Sequence, residues 1–376
     1  MPSGPSTAAL SPDMVALRDL ETPALVVDRA ALERNIARMS ANAKQAGLAL
    51  RPHAKTHKSA EIAALQMAAG AVGIACATVA EADMLAAAGI GGLLLTTPVM
   101  GETKFARLAR IHREHGIAVV VDHPRQVEAL AKQLEAGGRP LPVAVDVDVG
   151  QARTGVTDVA DGVRLAQMIA AQPQLAFAGI QGFAGHAQHV ADPGERQRVA
   201  RKAAQTLRNF VDALSCSGLA PALVTGSGTG TYRQDCDGPY NELQVGSYVF
   251  MDSDYARIVD ETGAGPSFEP SLFVLATVVS VNRPGEGTVD AGTKALATNG
   301  PPPRHILGAP TGTTYRFAGD EHGILTLPKD QPAPALGQRV LIGATHCDPT
   351  VNLHAGYHVV ADDGVEVWPV RARYGA

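Results

Sequence analysis

Residues 116–150, GIAVVVDHPRQVEALAKQLEAGGRPLPVAVDVDVG, hold a β-rich run at 117–121, a stretch of helical period at 124–136 and a second β-rich run at 141–149. Strand, helix, strand in one short span is the rhythm of a βαβ unit. Working outward, the same alternation continues in both directions. Candidate strands fall at 48–53, 71–76, 92–97, 117–121, 141–149, 177–181, 222–225 and 243–250. Candidate helices lie at 59–69, 79–88, 102–115, 124–136, 160–171 and 192–216, with a short piece near Arg233. Thr78 and Glu81 have capping-box spacing, and Gly89 closes the same helix. Eight strands with helices between them predict an α/β fold, a (β/α)8 TIM-type barrel, with a doubly wound open sheet as the alternative.

Past Asp252 the helices drop out, and runs at 272–279, 340–342 and 357–360 follow one another as strands, which predicts a C-terminal all-β domain. The run 22–28 is one strand too many for the barrel and is expected to cross into that β domain, with a long helix starting near Asp28 leading back. The expected organisation is therefore a flexible leader at 1–20, a barrel at 28–255, and a β domain built from 21–27 and 256–376.

Composition narrows the partners. With 32 Lys and Arg against 37 Asp and Glu, and no basic run or basic helix face, nucleic acid and anionic membrane are poor matches, and a small neutral-to-anionic ligand is a better one. Cys76, Cys216, Cys236 and Cys347 form no CxxC pair, which suits a reducing compartment and speaks against a cysteine zinc site. The N-terminal residues lack a basic n-region, and no run reaches roughly 18 apolar residues, so a cytoplasmic protein without a membrane span is expected.

RPHAKTHK, residues 51–58, follows the first barrel strand and so sits at the C-terminal face, where barrel enzymes keep their chemistry. A lysine there, with Arg51, His53, His57 and Lys58 around it, loses its proton more readily and as a free amine forms a Schiff base. The octapeptide alone leaves open whether Lys55 or Lys58 reacts. After the seventh strand comes Thr225-Gly226-Ser227-Gly228-Thr229-Gly230, whose backbone N–H groups suit an anion at the place where barrels bind phosphate. A reactive lysine and a phosphate cradle together point to pyridoxal phosphate, with Gly246-Ser247-Tyr248 as a further part of the cradle.

The order RPHAKTHK, VDVGQARTGV, TGSGTG, NELQVGSYVFMDSDY, DEHG and THCDPTVNL resembles that of the D-threonine aldolases, within the pyridoxal-phosphate family that also contains D-serine dehydratases and 3-hydroxyaspartate aldolases and dehydratases. The resemblance runs from Thr22 to Arg373. It implies an alanine-racemase-like fold of barrel plus β domain, paired into a homodimer. It implies that Lys55 is the Schiff-base lysine with His53 and His57 close by, and that Arg153 bonds the cofactor's phenolic oxygen. Gly226, Ser227, Gly228, Thr229, Gly230 and Tyr248 inherit the phosphate. His346 and Asp348 match a His-x-Asp metal pair, where the D-serine dehydratases carry His-x-Cys. An imidazole and a carboxylate suit manganese first, or magnesium or another divalent ion, whereas a thiolate favours zinc. If 346–348 is extended, Cys347 points away from its neighbours. His189 matches the histidine expected to act as general base, His186 is a weaker candidate, and Asp320-Glu321-His322 reads equally well as a polar turn.

The implied reaction is retro-aldol cleavage of a D-3-hydroxy-α-amino acid, of D-threonine or D-phenylserine type, to glycine and an aldehyde. A D-3-hydroxyaspartate aldolase, a D-serine or D-3-hydroxyaspartate dehydratase, a non-catalytic pyridoxal-phosphate-binding protein and a sugar-phosphate barrel enzyme are the alternatives. Two positions depart from the family pattern. Ser227 stands where relatives commonly have a third glycine, and Phe183 where they often have tyrosine.

Overall fold

The computed structural model of the chain describes residues 17–260, 265 and 267–374. In chain order the first half contains β1 (Ala24–Asp28), α1 (Arg29–Gln45), β2 (Ala49–Leu50), α2 (Ala60–Ala68), β3 (Ala75–Cys76), α3 (Val79–Ala87), β4 (Leu93–Leu95), α4 (Glu102–Glu114) and β5 (Ile117–Val121). It continues with α5 (Pro124–Gln133), β6 (Leu141–Asp146), α6 (Val159–Ala170), β7 (Leu175–Gly182), α7 (Pro193–Cys216), β8 (Leu223–Gly226), α8 (Tyr232–Asp235) and β9 (Glu242–Leu243). The remainder is β10 (Leu272–Ser280), β11 (Glu286–Val289), β12 (Ile306–Leu307), β13 (Thr314–Phe317), β14 (Gly323–Thr326), β15 (Arg339–Gly343), α9 (Cys347–Leu353), β16 (Gly356–Ala361) and β17 (Gly364–Pro369). Among the described residues no helix is long and apolar enough to cross a membrane.

Strands β2 to β9 form one parallel sheet in the order β2-β9-β8-β7-β6-β5-β4-β3. A parallel bridge from His53 to Ala75, with the Ala75 N–H donating to the Pro52 carbonyl at 2.8 Å, joins its two ends and completes the barrel. The order is the sequential one that right-handed βα units give when they close on themselves. Several strands are shorter than expected, because residues such as His53 and Gly246 leave the ladder to shape the loops at the C-terminal end. Gly246 is needed there, since a Cβ on it would come within 2.7 Å of Thr56 Oγ1. The β6–β7 register shifts after Val143, and Gly179 opposite that shift has φ +147° with its backbone against the Leu223 carbonyl, a conformation and closeness open to glycine.

The barrel's interior is layered by the two-residue period of its strands. Leu94, Val120 and Ala144 form a small apolar cluster of their own. Two residues further along, on the same face, come Thr96, Asp122 and Asp146, and the matching inward positions of β7, β8 and the β9 end are Gln181, Thr225 and Gln244. An apolar floor thus carries a polar layer at the chemistry-bearing end. The larger core lies outside the barrel, where Leu95, Val119, Val143 and Ile180 pack against Leu85, Leu108, Val127, Ile169 and Leu207 of the helices.

By its internal contacts the chain divides into Met39–Gly246 and a unit made of the residues up to Arg38 with Ser247–Arg373. The second unit takes the first part of α1 and residues 247–255, which the sequence reading assigned to the barrel. Hydrogen bonds account for this. Asn35 on α1 donates to the carbonyls of Val249 and Glu269 at 3.2 and 2.7 Å and accepts the Glu269 N–H at 2.8 Å, while Arg34 makes a two-pronged pair with the Glu269 carboxylate. The unit's sheet runs β13-β14-β11-β10-β1-β16-β17, with β15 bridging β10 and β12. β1 is the surplus strand of the sequence reading. It lies in this sheet, antiparallel to β10 (Ala24 opposite Leu275) and parallel to β16 (Val26 opposite His358). Residues 1–16 of the expected leader lie outside the described residues. Leu17 is fully buried against Val26 and Phe273, and Arg339 donates to the carbonyls of Arg18 and Leu20.

Candidate active site

The segment 51–58 leaves β2, makes a single 3-10 turn at Ala54–Thr56, and enters α2 through the Ser59 cap. Its two lysines have different environments. Lys58 has φ +47°, is 8% exposed, and places Nζ 2.6 Å from Glu81 Oε1; Glu81 is 1% exposed and its other oxygen accepts the Ala77 N–H at 2.7 Å. A buried carboxylate at that distance holds the Lys58 amine in place. Glu81 was expected in a capping box. Its N–H does donate to Thr78 Oγ1, but its carboxylate goes to Ala77 and Lys58. Lys55, half-buried at the turn, is the other lysine of the segment.

His53 fixes the turn on which Lys55 stands. Thr96 Oγ1 donates its proton to the Cys76 carbonyl at 3.0 Å, so toward His53 Nε2, 2.9 Å away, it acts as acceptor. The imidazole therefore carries its proton on Nε2 and accepts the Lys55 N–H at Nδ1 (3.3 Å). Both ring nitrogens of His53 have partners inside the barrel, and what remains for a ligand is the ring face.

Thr96 belongs to a polar network that crosses the barrel and was missed by the sequence reading. Arg51 grips Glu242 with Nε and Nη2 at 2.9 and 2.7 Å. Thr225 Oγ1 donates to Glu242 at 2.8 Å and accepts from Gln244 Nε2 at 2.9 Å. Gln244 Nε2 also donates to Gln181 Oε1 at 3.1 Å, and Gln181 Nε2 donates to the Thr96 carbonyl and to Asp146 Oδ1, both at 2.8 Å. Thr154 Oγ1 holds the other Asp146 oxygen at 2.8 Å. Burial is the main cause that raises the Asp146 carboxyl to about 6, against the bonds from Gln181 and Thr154 that lower it. Thr96 and Asp146 stand two residues beyond the inward apolar Leu94 and Ala144, and that placement is the signal that identifies them.

The loop after β6 carries Arg153. Asp148 Oδ1 gathers the N–H groups of Gly150, Gln151 and Ala152 at 2.8, 2.8 and 3.1 Å, and Gln151 Oε1 accepts the Gly185 N–H at 2.6 Å, tying this loop to the one after β7. Arg153 lies over the Phe183 ring, 5.6 Å from its centroid, a cation–π contact. His186 and His189 are exposed on the loop after β7, whereas Gln188 between them is buried.

Gln188 organises the glycine loop after β8. Its Nε2 donates to the Ala184 carbonyl and to Thr231 Oγ1 at 3.2 and 2.8 Å, and its Oε1 accepts the Gly230 N–H at 2.9 Å, so that N–H is already engaged. Residues 226–229 are buried, and Ser227 has φ +74°. A residue in that conformation turns successive N–H groups toward one side and makes a concave anion site. It costs a non-glycine residue about 1 kcal/mol or more. Ser227 Oγ is buried without a hydrogen bond of ordinary geometry.

Tyr248 and the metal candidates belong to the other unit. Tyr248 is fully buried, edge-on to Phe268 at 5.6 Å. His346 caps α9 in extended conformation and Cys347 begins the helix, so 346–348 is not one extended segment as its sequence suggested. Cys347 is nevertheless buried, because its N–H is held by Asp252 Oδ2 at 3.0 Å. Asp252, raised chiefly by burial, feels the charges of both His346 and Asp348. His346 Nδ1 is 3.0 Å from Asn299 Nδ2. A metal on Nε2 requires a proton on Nδ1, and Asn299 accepts it through its oxygen once the amide is turned over. Among the described residues no group of three or more His, Cys, Asp and Glu is gathered for a metal. A pair such as His346 and Asp348 suits a cation whose other positions are filled by water or substrate. Asp320 to His322 form the β13–β14 turn, with Glu321 paired to Lys294 in solvent.

Comparison with known proteins adds to this geometry. The alanine racemase N-terminal domain model matches residues 27–254, and a model described as a serine dehydratase domain matches residues 271–360. A D-threonine aldolase of Arthrobacter sp is 42% identical over 95% of this chain and 94% of its own. A 3-hydroxy-D-aspartate aldolase of Paracoccus denitrificans is 38% identical over 94% and 92%. The crystal structure of D-threonine aldolase from Filomicrobium marinum superposes with a TM-score of 0.89 at 40% identity, over 94% of this chain and 95% of that one.

Proposed function

The chain belongs to the alanine-racemase-fold family that includes the D-threonine aldolases and is a carbon–carbon lyase; from that premise we propose that it cleaves D-3-hydroxy-α-amino acids, of D-threonine and D-phenylserine type, to glycine and an aldehyde, with pyridoxal phosphate and a divalent metal. The observation that supports this reading is the pairing of Lys58 with Glu81, which favours Lys55 over Lys58 as the amine for a carbonyl cofactor. The residues fit the cofactor. A phosphate needs buried donors, and the 226–229 loop offers a left-handed Ser227 with a buried hydroxyl. Lys55 would hold the aldehyde carbon, Gly226 to Thr229 and Tyr248 the phosphate, with Gly230 closing the loop through Gln188, Arg153 the phenolic oxygen, and His53 the ring by its face.

Bound there, pyridoxal phosphate supplies an electron sink for the pair released when the Cα–Cβ bond breaks. A manganese, magnesium or similar ion on His346 and Asp348 supplies Lewis acidity that makes the substrate's β-hydroxyl more acidic. The chain's own groups do the rest. His189, exposed on its loop, takes the hydroxyl proton. The oxygen's electrons form the aldehyde carbonyl as Cα–Cβ breaks, and a proton returned to Cα completes glycine. Lys55 would be the residue that holds the cofactor between turnovers. A homodimeric assembly completes the proposed organisation. The 38% identity to a 3-hydroxy-D-aspartate aldolase favours a second reading with an acidic side chain on the same substrate class. Borohydride reduction of the cofactor-loaded enzyme followed by peptide mapping tests the lysine. The adduct is expected on Lys55, and an adduct on Lys58 overturns the reading.

A further inference from the structure

The proposed chemistry leaves Asp235 without a role. It ends α8, directly after the glycine loop, and is 4% exposed. Its Oδ2 accepts Thr231 Oγ1 at 2.6 Å, and Thr231 Oγ1 in turn accepts Gln188 Nε2 at 2.8 Å, the amide that also holds the Gly230 N–H. Ser227, 1% exposed within the loop, is close enough for its hydroxyl to favour the Asp235 carboxylate, although its hydrogen bond lacks ordinary geometry. Burial, the largest cause, brings the Asp235 carboxyl up to about 6, and what offsets burial is these two hydroxyls and no cation.

The other ionisable groups nearby do not change this. Tyr240 and Cys236 are raised first by burial and then by the charge of Asp235 itself, and Asp237 adds a like charge on Cys236. Arg233 directs Nε to the Tyr232 hydroxyl at 3.0 Å, and Arg208 reaches the Asp237 carbonyl at 2.8 Å. A phosphate in the loop would therefore face a buried carboxylate across a serine hydroxyl, two like charges in a medium of low dielectric. Neutralising the carboxylate is the less costly arrangement. It also reverses the hydrogen bonding: a protonated Asp235 donates to Ser227 Oγ, and the serine's own proton becomes available to the anion.

We infer that Asp235 is a proton-linked positioning residue, which takes up one proton when a phosphate-type dianion occupies the Gly226–Gly230 loop, with Ser227 carrying the hydrogen bond between them. The inference rests on the assignment of that loop to the cofactor phosphate.

Sulfate is the probe, because it stays a dianion through the neutral range and brings no proton of its own. Titration calorimetry of the cofactor-free full chain at pH 7, in two buffers of different ionisation enthalpy, is expected to show uptake of most of one proton per sulfate. Sulfate affinity is expected to fall by up to about 10-fold per pH unit as pH rises above 6.5. Asp235→Asn keeps the acceptor for Thr231 and should abolish both the uptake and the slope, while Ser227→Gly should weaken sulfate and retain the uptake. Binding without proton uptake, or a slope unchanged in Asp235→Asn, overturns the inference, and the wild-type proton count decides alone if the Asn variant does not fold. Sulfate bound as tightly by Ser227→Gly removes the serine from it. The loop assignment has its own readout: sulfate should compete with pyridoxal 5'-phosphate and not with pyridoxal, and failure to bind or to compete refutes that assignment and the inference with it.

Discussion

Lys58 Nζ sits 2.6 Å from Glu81 Oε1 with both side chains almost wholly buried, so one lysine of the segment is fixed in an ion pair. Breaking a buried pair from one side strands the other charge. Glu81→Gln is expected to cost about 3–5 kcal/mol in denaturant unfolding at pH 7. Adding Lys58→Met to it should recover a large part of that loss. A Glu81→Gln protein as stable as the parent contradicts the assignment of Lys58 as structural.

The cross-barrel network predicts a second stability effect. Gln181 supplies donors to the Thr96 carbonyl and Asp146 and an acceptor to Gln244. Gln181→Leu removes one hydrogen-bond partner from each of these buried groups, at about 1–3 kcal/mol for a donor or acceptor left unsatisfied. A total loss of about 3 kcal/mol is expected, together with weaker cofactor retention because Thr96 no longer holds His53 in register. Unfolding curves and cofactor dissociation rates measure the two, and an unperturbed variant would show that the network carries no structural load.

The buried Asp146 carboxyl, raised to about 6, gives a pH signature with a defined sign. Between its ordinary value near 4 and about 6 the folded state binds the proton more tightly than the unfolded chain, so this group's contribution to stability falls as pH rises through that window and is level above it. Asp146→Asn removes the slope. Relative to the parent, the variant should gain stability on going from pH 4 to pH 7, by at most about 3 kcal/mol. Paired unfolding measurements at pH 4, 5, 6 and 7 check this, and a difference that does not vary with pH contradicts it.

What was legible in the sequence follows the physics of each element. Long elements with marked ends were readable: Asp192 accepts the Glu195 N–H and Pro193 opens α7 where the pattern placed a helix. The barrel strands were located but overextended: residues 51–53 continue the apolar run 48–50 and 244–246 continue β9, yet both leave the ladder. The polar layer was hidden for a related reason. Thr96, Gln181 and Gln244 are single polar residues whose meaning depends on partners up to 85 positions away. The octapeptide by itself did not separate Lys58 from Lys55, since the ion pair of Lys58 depends on Glu81, 23 positions away and read as a capping residue. At 346–348 the residue types were informative, but local shape was not, because a distant carboxylate, Asp252, takes the Cys347 N–H as α9 begins.

The link between Asn299 and His346 predicts a metal effect that does not depend on turnover. Removing a group that orients a ligating imidazole lowers metal affinity about 10–100-fold. Asn299→Ala is expected to weaken manganese by that factor in direct titration, and Asp348→Ala to weaken it further. Affinity unchanged in both would place the metal elsewhere.

The central claim is tested most directly by product analysis with and without metal. The cofactor-loaded enzyme, first chelated and then restored with manganese, is given D-threonine, and glycine, acetaldehyde, ammonia and 2-keto acid are measured together. Glycine and acetaldehyde in equal amounts, lost on chelation and regained with manganese, are the predicted result. Ammonia and keto acid as the main products, or cleavage indifferent to chelation, would contradict it.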